Sequence, residues 1–466
     1  MDVRVRFLGA DGTVTGSRHM IEVDNFKVLV DCGMFQGLKE LRLKNREPFP
    51  VDPAEIDAVV ITHAHIDHTG YLPKLVKEGF SGSIYTTDAT LDLMKIMLMD
   101  SAKLQEEEAR WAKKKGYSKH EKPEPLYDTD DAEKVFPLVK SCDYGCEQKI
   151  HPRIIVKFRN AGHILGAATV ELLIQGTNET KRFVFSGDLG RYKDPMLFPP
   201  EPVYQTDVLF IESTYGNREN PVDHPLDQFA GVVNRAMERE GCLLIPAFSV
   251  GRTQLLMYYM KTLIESGRIP DIPVYVDSPM AINVTEIHRK HFDYHKFDEF
   301  DLKEKHSVFD FKNIQYKRSQ SESMQLNSIQ KDAIIISASG MCTGGRILHH
   351  LYNRLGREND SILFVGYQAE GTRGRRIVDG EPMVKMLGYE VPVLCHVEHV
   401  DGLSAHADKT DLLTWLGNFR ESPEFTFVVH GEKPVSIEFA QTLRDKFGWN
   451  TMVPEYEEFK ELFTGV

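Results

Sequence analysis

The sequence is poor in cysteine, in long apolar runs and in positive charge. No run approaches the roughly 20 apolar residues that a transmembrane helix needs, and the first residues, Met1 to Arg6, enter a strand pattern rather than a signal peptide. The six cysteines are scattered, which indicates a reducing, cytoplasmic compartment without a disulfide framework. The 56 basic and 69 acidic side chains give a formal charge of −13. That balance argues against indiscriminate coating of nucleic acid or anionic membranes, but it permits a local basic groove.

The remaining composition is that of an ordinary globular protein, with 41% hydrophobic and 27% charged residues. A chain of 466 residues has room for two or three domains with substantial cores. Cys142 and Cys146 lie close in sequence, but no second pair accompanies them. We therefore interpret them as ordinary thiols in an irregular loop rather than as a metal site.

One short stretch concentrates metal-binding side chains directly after an apolar strand at residues 58–61. It reads Thr62-His63-Ala64-His65-Ile66-Asp67-His68-Thr69-Gly70. Alternate residues of an extended chain share a face, so His63 and His65 can bind one ion, while Asp67 and His68 can reach a second. Nitrogen and oxygen ligands with an open position favour catalytic Zn2+, with Mn2+ or Fe as alternatives. A solvated surface loop is the weaker interpretation, because such accidents are usually less dense.

Other predicted strands also end in an acid or an imidazole. His163 stands between Gly162 and Gly166, and the candidates at the other strand ends are Asp188, Glu212 and His430. Asp188 can bridge two ions, and the late position of His430 predicts that the end of the chain returns to the first domain. Asp31 also ends a strand; it is either an outer acceptor that holds a metal-binding imidazole or part of a plain turn, and both interpretations stay open.

The middle of the chain has a different pattern, in which amphipathic helices alternate with apolar strands. This alternation predicts a separate α/β domain with a parallel sheet, so we expect domains at residues 1–215, 216–390 and 391–466. Two turns between a strand and a helix, 248–253 and 337–346, resemble phosphate-binding turns, although tight packing turns explain them equally well. A loop at 370–376 adds three arginines, for which we favour contact with a nucleic-acid backbone. The candidate substrate-binding residues are Ser249, Arg252, Ser337, Ser339, Thr343, Arg373, Arg375 and Arg376.

The ordered set of candidate residues resembles the β-CASP group of nucleases with the metallo-β-lactamase fold. The set is Asp31, His63-x-His65-x-Asp67-His68, His163, Asp188, Glu212, His406 and His430. This group includes the pre-mRNA 3′-end cleavage endonuclease, and the resemblance, which covers essentially the whole chain, is to its compact bacterial relatives. It implies an αββα metallo-β-lactamase sandwich with an inserted parallel-sheet α/β domain, the β-CASP domain.

The resemblance also implies roles for the candidate residues. One zinc ion would be held by His63, His65, His163 and Asp188, and the other by Asp67, His68, Asp188 and His430. Glu212 would orient His406. A histidine at position 430 is similar to the RNA-processing branch, whereas the DNA-repair branch carries a valine. The expected partner is therefore single-stranded RNA, with no membrane, and a homodimer is left open.

These residues suggest a hypothesis for the reaction. Two ions lower the pKa of a shared water, the resulting hydroxide attacks phosphorus in line, and His406 protonates the leaving 3′ oxygen. The products would carry 5′-phosphate and 3′-hydroxyl ends, from internal or 5′-directed cleavage. The alternatives are hydrolysis of a small ester, thioester or lactam, and a non-catalytic RNA-binding scaffold. The inserted domain argues against the first, and the filled ligand positions argue against the second.

Overall fold

The chain folds into two units, of which one is inserted in the other. The computed structural model describes residues 2–115, 124–177, 179–220, 225–297, 308–366 and 368–465. The first unit consists of Met1–Glu219 and His406–Val466, and the second of Asn220–Ala405. The chain returns to the first unit at His406 rather than at the expected residue 391, because the strand His396–His399 still pairs with the sheet of the second unit.

Two seven-stranded sheets build the first unit, in the orders β22-β1-β2-β3-β4-β5-β6 and β21-β20-β11-β10-β9-β8-β7. The strands of the first sheet are β1 (Val3–Phe7), β2 (His19–Val23), β3 (Phe26–Val30), β4 (Ala58–Val60), β5 (Ser83–Thr87), β6 (Val139–Cys142) and β22 (Phe459–Phe463). Those of the second sheet are β7 (Glu147–His151), β8 (Ile154–Asn160), β9 (Ala168–Gln175), β10 (Thr180–Phe185), β11 (Val208–Glu212), β20 (Phe425–Val429) and β21 (Thr451–Met452).

The core of this unit lies between the two sheets. In β1, buried Val3, Val5 and Phe7 alternate with half-buried arginines, as expected for a strand with one buried face. The ring of Phe7 packs 6.0 Å from Phe210 and 4.9 Å from Phe427 of the facing sheet. The helices of the unit are Lys39–Lys44, Ile66–Thr69, Leu72–Lys77, Asp88–Lys115, Thr129–Glu133, Lys409–Leu416 and Lys433–Phe447.

Helices cover the outer faces of both sheets. The helix Asp88–Lys115 contacts β5 and β6, and the helix Lys433–Phe447 contacts β20 and β21. This arrangement is the predicted αββα sandwich. Strands β3 to β6 are parallel to one another, as are β10, β11, β20 and β21. The carboxyl ends of these strands carry or precede Asp31, residues 63–68, Asp188, Glu212 and His430.

The second unit contains the predicted parallel sheet, with the order β14-β13-β15-β12-β16-β19. Its strands are β12 (Cys242–Pro246), β13 (Val274–Val276), β14 (Ile314–Tyr316), β15 (Ala333–Ser337), β16 (Ser361–Phe364) and β19 (His396–His399), and a hairpin adds β17 (Met383–Met386) and β18 (Tyr389–Pro392). Leu243 and Ile245 join one buried cluster and Leu244 joins another, so both faces of the sheet are covered.

Helices alternate along the chain with the strands of the second unit. In the described residues of this unit the helices are Pro225–Glu238, Arg252–Glu265, Pro279–Lys290, Gln320–Gln325, Ile347–Arg354 and Arg373–Val378. The last of these was expected to be a loop. It forms a helix because the Thr372 side chain accepts a hydrogen bond from the backbone N–H of Arg375 and so caps the first turn. Single 3-10 turns occur at Pro53–Glu55, Phe136–Leu138, Phe292–Tyr294 and Leu326–Ser328. Among the described helices, none has the length and apolar character needed to cross a membrane.

Candidate active site

Four side chains from three parts of the first unit bring one donor atom each to a common point. His63 and His65 follow β4, His163 follows β8, and Asp188 follows β10. His65 Nδ1 lies 3.1 Å from His63 Nε2 and 3.3 Å from His163 Nε2. Asp188 Oδ2 lies 3.4 Å from His63 Nε2 and 3.5 Å from His163 Nε2. These four atoms are the first donor set.

The first donor set fits a tetrahedral zinc ion. Zinc–nitrogen bonds of about 2.0–2.1 Å in a tetrahedral site place neighbouring donors about 3.3 Å apart. A neutral imidazole has one N–H and one lone pair, so each of these rings can direct a lone pair to the common point when its other nitrogen carries the proton. A cation at that point would stabilise the three lone pairs and the carboxylate together.

A second donor set lies on the other side of Asp188. His68 Nε2 is 3.1 Å from His430 Nε2 and 3.3 Å from Asp188 Oδ1. Asp67 Oδ2 is 3.5 Å from His430 Nε2 and 3.9 Å from His68 Nε2. Asp188 therefore presents one carboxylate oxygen to each donor set, which is the arrangement that a ligand bridging two metal ions requires.

Asp31 holds the back of the second donor set. The Nδ1 atom of His68 donates to Asp31 Oδ2 over 2.7 Å, so a neutral His68 would direct the lone pair of Nε2 into the site. The backbone N–H and the hydroxyl of Thr62 donate to the same carboxylate over 2.8 and 2.9 Å. Thr62 has no role in the sequence interpretation, and its only signal there is its position directly before His63. Asp31 and His430 both adopt left-handed backbone conformations, with φ of 59° and 49°, and such strain often occurs at functional sites.

Glu212 and His406 lie next to the two donor sets. His406 Nδ1 is 3.5 Å from Glu212 Oε2 and 3.9 Å from Asp188 Oδ2. The other oxygen of Glu212 accepts the backbone N–H of Leu189 over 2.6 Å, which fixes the carboxylate. The ring of His406 packs 4.4 Å from the ring of His163, and 21% of its side chain is exposed. His406 is therefore held at the edge of the site where a substrate can reach it.

Close backbone contacts hold the loops that carry these residues. The Gly33 N–H donates to Ser17 O, and a Cβ atom at Gly33 would lie only 1.6 Å from the carbonyl oxygen of Asp67. At Gly190 the corresponding Cβ atom would lie 1.8 Å from Gly162 O. Glycine is required at both positions because no side chain fits between these loops. Thr214, which sequence reasoning also missed, places its hydroxyl 3.1 Å from His430 Nδ1.

Burial and charge set the protonation of the site in opposite directions. Burial lowers the pKa of His63 well below its usual value. Burial acts on His68 in the same sense, but Asp188 and Asp31 outweigh it and raise the pKa of His68. For His406, burial is likewise outweighed, by Glu212 and Asp188, so that its pKa rises to about 10. Burial opposes the ionisation of Asp67, yet His430 and His68 lower its pKa to about 2.

The candidate substrate residues lie in the second unit and differ in accessibility. Ser339 Oγ accepts the backbone N–H groups of Thr343 and Gly344, over 3.0 and 3.4 Å. Arg373 donates to the carbonyl oxygens of Cys342 and Thr343, which ties its helix to the same turn. Ser337 is only 1% exposed and its hydroxyl donates to the Asp277 carbonyl, so it supports this turn from inside.

The other candidate substrate residues are partly engaged elsewhere. Ser249 is buried with its hydroxyl 3.5 Å from that of Ser278. Arg252 donates to Val365 O over 2.6 Å. Arg375 pairs with Asp379 and Arg376 with Glu381, which reduces the positive charge that they offer to a phosphate.

The cysteines do not contribute to the donor sets. Cys142 is buried and Cys146 is exposed. Within the part of the chain that the structure describes, three groups of side chains are able to hold a metal ion. They are the first donor set, the group of Asp67, His68 and His430, and the group of Asp188, Glu212 and His430. The metal chemistry suggested by the structure is thus concentrated at one place.

Three segments of the chain match known protein families. Residues 14–142 match the metallo-beta-lactamase superfamily, residues 253–377 the Beta-Casp domain, and residues 390–454 the Zn-dependent metallo-hydrolase RNA specificity domain. The first match lies in the first unit and the second lies in the second unit. The third begins near the end of the second unit and continues into the first.

Proteins similar to this one align with nearly the whole chain. Ribonuclease TTHA0252 of Thermus thermophilus is 34% identical over 433 residues, which cover 92% of this chain and 94% of the relative. Transcription termination factor FttA of Pyrococcus abyssi is 31% identical, over 97% of this chain and 70% of the relative. A crystal structure of a protein of unknown function from Enterococcus faecalis V583 has the same fold, with a TM-score of 0.56 at 15% identity, covering 99% of this chain and 100% of the other.

Proposed function

The chain belongs to the β-CASP ribonucleases, which are metallo-hydrolases of the metallo-β-lactamase superfamily, and from this premise we propose that it hydrolyses phosphodiester bonds of single-stranded RNA with two zinc ions. The observation that carries the proposal is the pair of donor sets joined by Asp188, with His406 beside them. Mn2+ is the alternative metal for the same oxygen and nitrogen donors.

Each donor set supplies the proposed ligands of one zinc ion. His63, His65, His163 and Asp188 hold the first ion, and Asp67, His68, Asp188 and His430 hold the second. When bound, two zinc ions lower the pKa of a shared water and neutralise charge on the phosphate. Asp31 keeps His68 in the tautomer that binds metal, through the 2.7 Å hydrogen bond.

His406 is proposed as the general acid. Its side chain is 21% exposed, which leaves it open to a substrate, and Glu212 lies 3.5 Å away to orient its ring. Transfer of its proton to the leaving 3′ oxygen would complete an in-line displacement and leave a 3′-hydroxyl and a 5′-phosphate. Thr343 is exposed and lies in one turn with the half-buried Ser339, and Arg373 is tied to the same turn, so we propose these three for contact with the RNA backbone. Contacts of this kind give weak sequence preference.

The first test is cleavage of a 5′-labelled single-stranded RNA and its DNA counterpart by zinc-loaded protein. We expect RNA products whose lengths distinguish internal from 5′-directed cleavage. Asp67→Ala, which removes a second-set ligand, should give none. A protein that holds two zinc ions but leaves the RNA intact would contradict the proposal and favour a small-molecule hydrolase.

The role of His406 needs a separate test. His406→Ala should lower turnover by about 10²- to 10⁴-fold, the usual contribution of general acid catalysis, while two zinc ions per chain remain. His399→Ala, which removes a half-exposed histidine of the second unit, is the matched control and should retain activity. Loss of zinc from His406→Ala would reject its assignment as the acid.

A further inference from the structure

A buried histidine near the second donor set has a ring nitrogen, Nδ1, without a hydrogen-bond partner among the described residues. His19 begins β2 and is 4% exposed. Its ring packs among three aromatic rings, with centroids 5.6 Å from Phe210, 6.1 Å from Phe7 and 6.4 Å from Phe185.

The chemistry of an imidazole makes this position unusual for a core. A buried neutral imidazole carries one N–H donor and one lone pair, and leaving such polar groups unsatisfied is costly. A phenylalanine at position 19 would make the same ring contacts without that cost. The ring contacts therefore do not explain why a histidine stands here.

A small cavity lies against His19 and supplies the missing explanation. Its volume is about 20 Å³, and its lining includes Ser17, His19, Asp31, Ser186, Glu212 and His430. A single water needs about 10–15 Å³ and two to four polar partners. The cavity meets both conditions.

The cavity adjoins the second donor set and lies away from the three histidines of the first. Its lining includes His68, Asp188 and His430, but not His63, His65, Asp67 or His163. Val30 of the first sheet and Phe185, Phe210 and Val429 of the second also line it, so the cavity lies between the two sheets at the ends of their strands. Ser17 has hydrogen-bonding capacity to spare, because its hydroxyl is 3.5 Å from Asp31 Oδ2, a long contact.

We propose that His19 binds a single internal water molecule in this cavity and that the water joins His19 to the carboxylates of Asp31 and Glu212. His19 is then a positioning residue, which acts on the metal ligands through the water and does not touch the substrate. Only its effect on zinc rests on the proposed function; the water site itself stands without it.

The experiment is a pair of high-resolution crystal structures, of the zinc-loaded wild-type protein and of His19→Phe. We expect one water peak within hydrogen-bonding distance of a His19 nitrogen in the wild type and none in His19→Phe. A cavity without density, a metal ion in it, or a His19 ring bonded directly to protein atoms would overturn the proposal.

Competition with a zinc chelator measures the positioning role without any assay of activity. His19→Phe should bind zinc about tenfold more weakly, at the low end of the effect of removing outer partners of metal ligands. His19→Gln retains a donor and an acceptor and should recover most of the affinity, and Ile21→Val is the control for a core change on the same strand. Wild-type zinc affinity in His19→Phe would also overturn the proposal. Failure to cleave RNA, with the water and the zinc present, would instead count against the proposed function alone.

Discussion

At the scale of single residues, Asp31 allows a test of a residue that orients a proposed metal ligand without being a proposed ligand itself. It contacts His68 on the nitrogen that faces away from the site. Asp31→Asn keeps the size of the side chain but removes its charge, so we expect zinc affinity to fall by about 10- to 100-fold. Chelator competition measures this fall. Asp24→Asn, at an exposed turn, is the control, and equal zinc affinity in both variants would contradict the role of Asp31.

A substitution at Gly33 measures how much stability depends on the close backbone contacts of the site. An alanine Cβ at this position would lie 1.6 Å from the Asp67 carbonyl oxygen, so the loop must move. We expect Gly33→Ala to lower the free energy of unfolding of the zinc-free protein by about 3 kcal/mol, as overpacking of a rigid site does. Urea denaturation followed by circular dichroism provides the measurement. Gly344→Ala, whose Cβ meets nothing within 4 Å, should change stability little; a similarly small effect at Gly33 would refute the expected clash.

At the scale of elements, the buried carboxylate of Asp277, directly after β13, forms hydrogen bonds with the helix Gln320–Gln325 and with the start of the helix Ile347–Arg354. Asp277 is fully buried, and it accepts hydrogen bonds from Arg346 over 2.7 Å and from His350 and Ser323 over 2.6 Å each. Arg346 also donates to the carbonyl oxygens of Lys317 and Arg318. Removal of the charge would leave a guanidinium group inside the unit without its carboxylate.

We therefore expect Asp277→Asn to lower the free energy of unfolding by about 3 kcal/mol near neutral pH. Burial would raise the pKa of Asp277, but the hydrogen bonds from His350, Ser323 and Arg346 outweigh it and lower the pKa. A lowered pKa in the folded protein stabilises it fully above the unfolded value of about 3.9, and this contribution is lost as the pH falls through the folded pKa. Urea denaturation at decreasing pH should thus show the difference between wild type and variant shrinking below about pH 4. A constant difference would contradict the ionic contribution.

The elements were predictable where a local pattern determines them. Alternation in β1 and the apolar runs of β12 and β15 identify strands because burial on one or two faces leaves that signature. The helix Arg373–Val378 was missed because three arginines in sequence suggest a solvated loop, whereas the Thr372 cap makes a short helix stable. The return to the first unit was placed too early because β19 is an exposed edge strand, and its sequence does not show which sheet it joins.

At the scale of the whole molecule, the candidate site depends on contacts that no local pattern encodes. Acids and histidines at strand ends were predictable, since parallel strands present their carboxyl ends together. The 3.1 Å approach of His68 to His430 joins residues 362 positions apart. The strand that ends at His430 predicted a return to the first domain, but only the family resemblance predicted that these two side chains share a site. The hydrogen bond from Thr62 to Asp31 and the cavity at His19 follow from packing between the sheets, which the sequence does not specify.

The location of all proposed ligands in the first unit leads to a prediction for the whole chain. A ligand that binds only the folded protein stabilises it by about 2.7 kcal/mol at a concentration one hundred times its dissociation constant. Removal of zinc should therefore lower amide-exchange protection by up to about 100-fold in the loops at residues 62–70, 161–166, 186–190 and 428–432.

Hydrogen exchange followed by mass spectrometry, with and without zinc, measures this directly. Cys242–Pro246 and Ala333–Ser337, central strands of the second unit, should keep their protection because no proposed ligand belongs to that unit. His68→Ala should show little response to zinc in the second-set loops, which controls for unspecific effects of the metal. Equal loss of protection in both units would mean that zinc stabilises the chain as one cooperative body, and the assignment of its effect to the first unit would then be wrong.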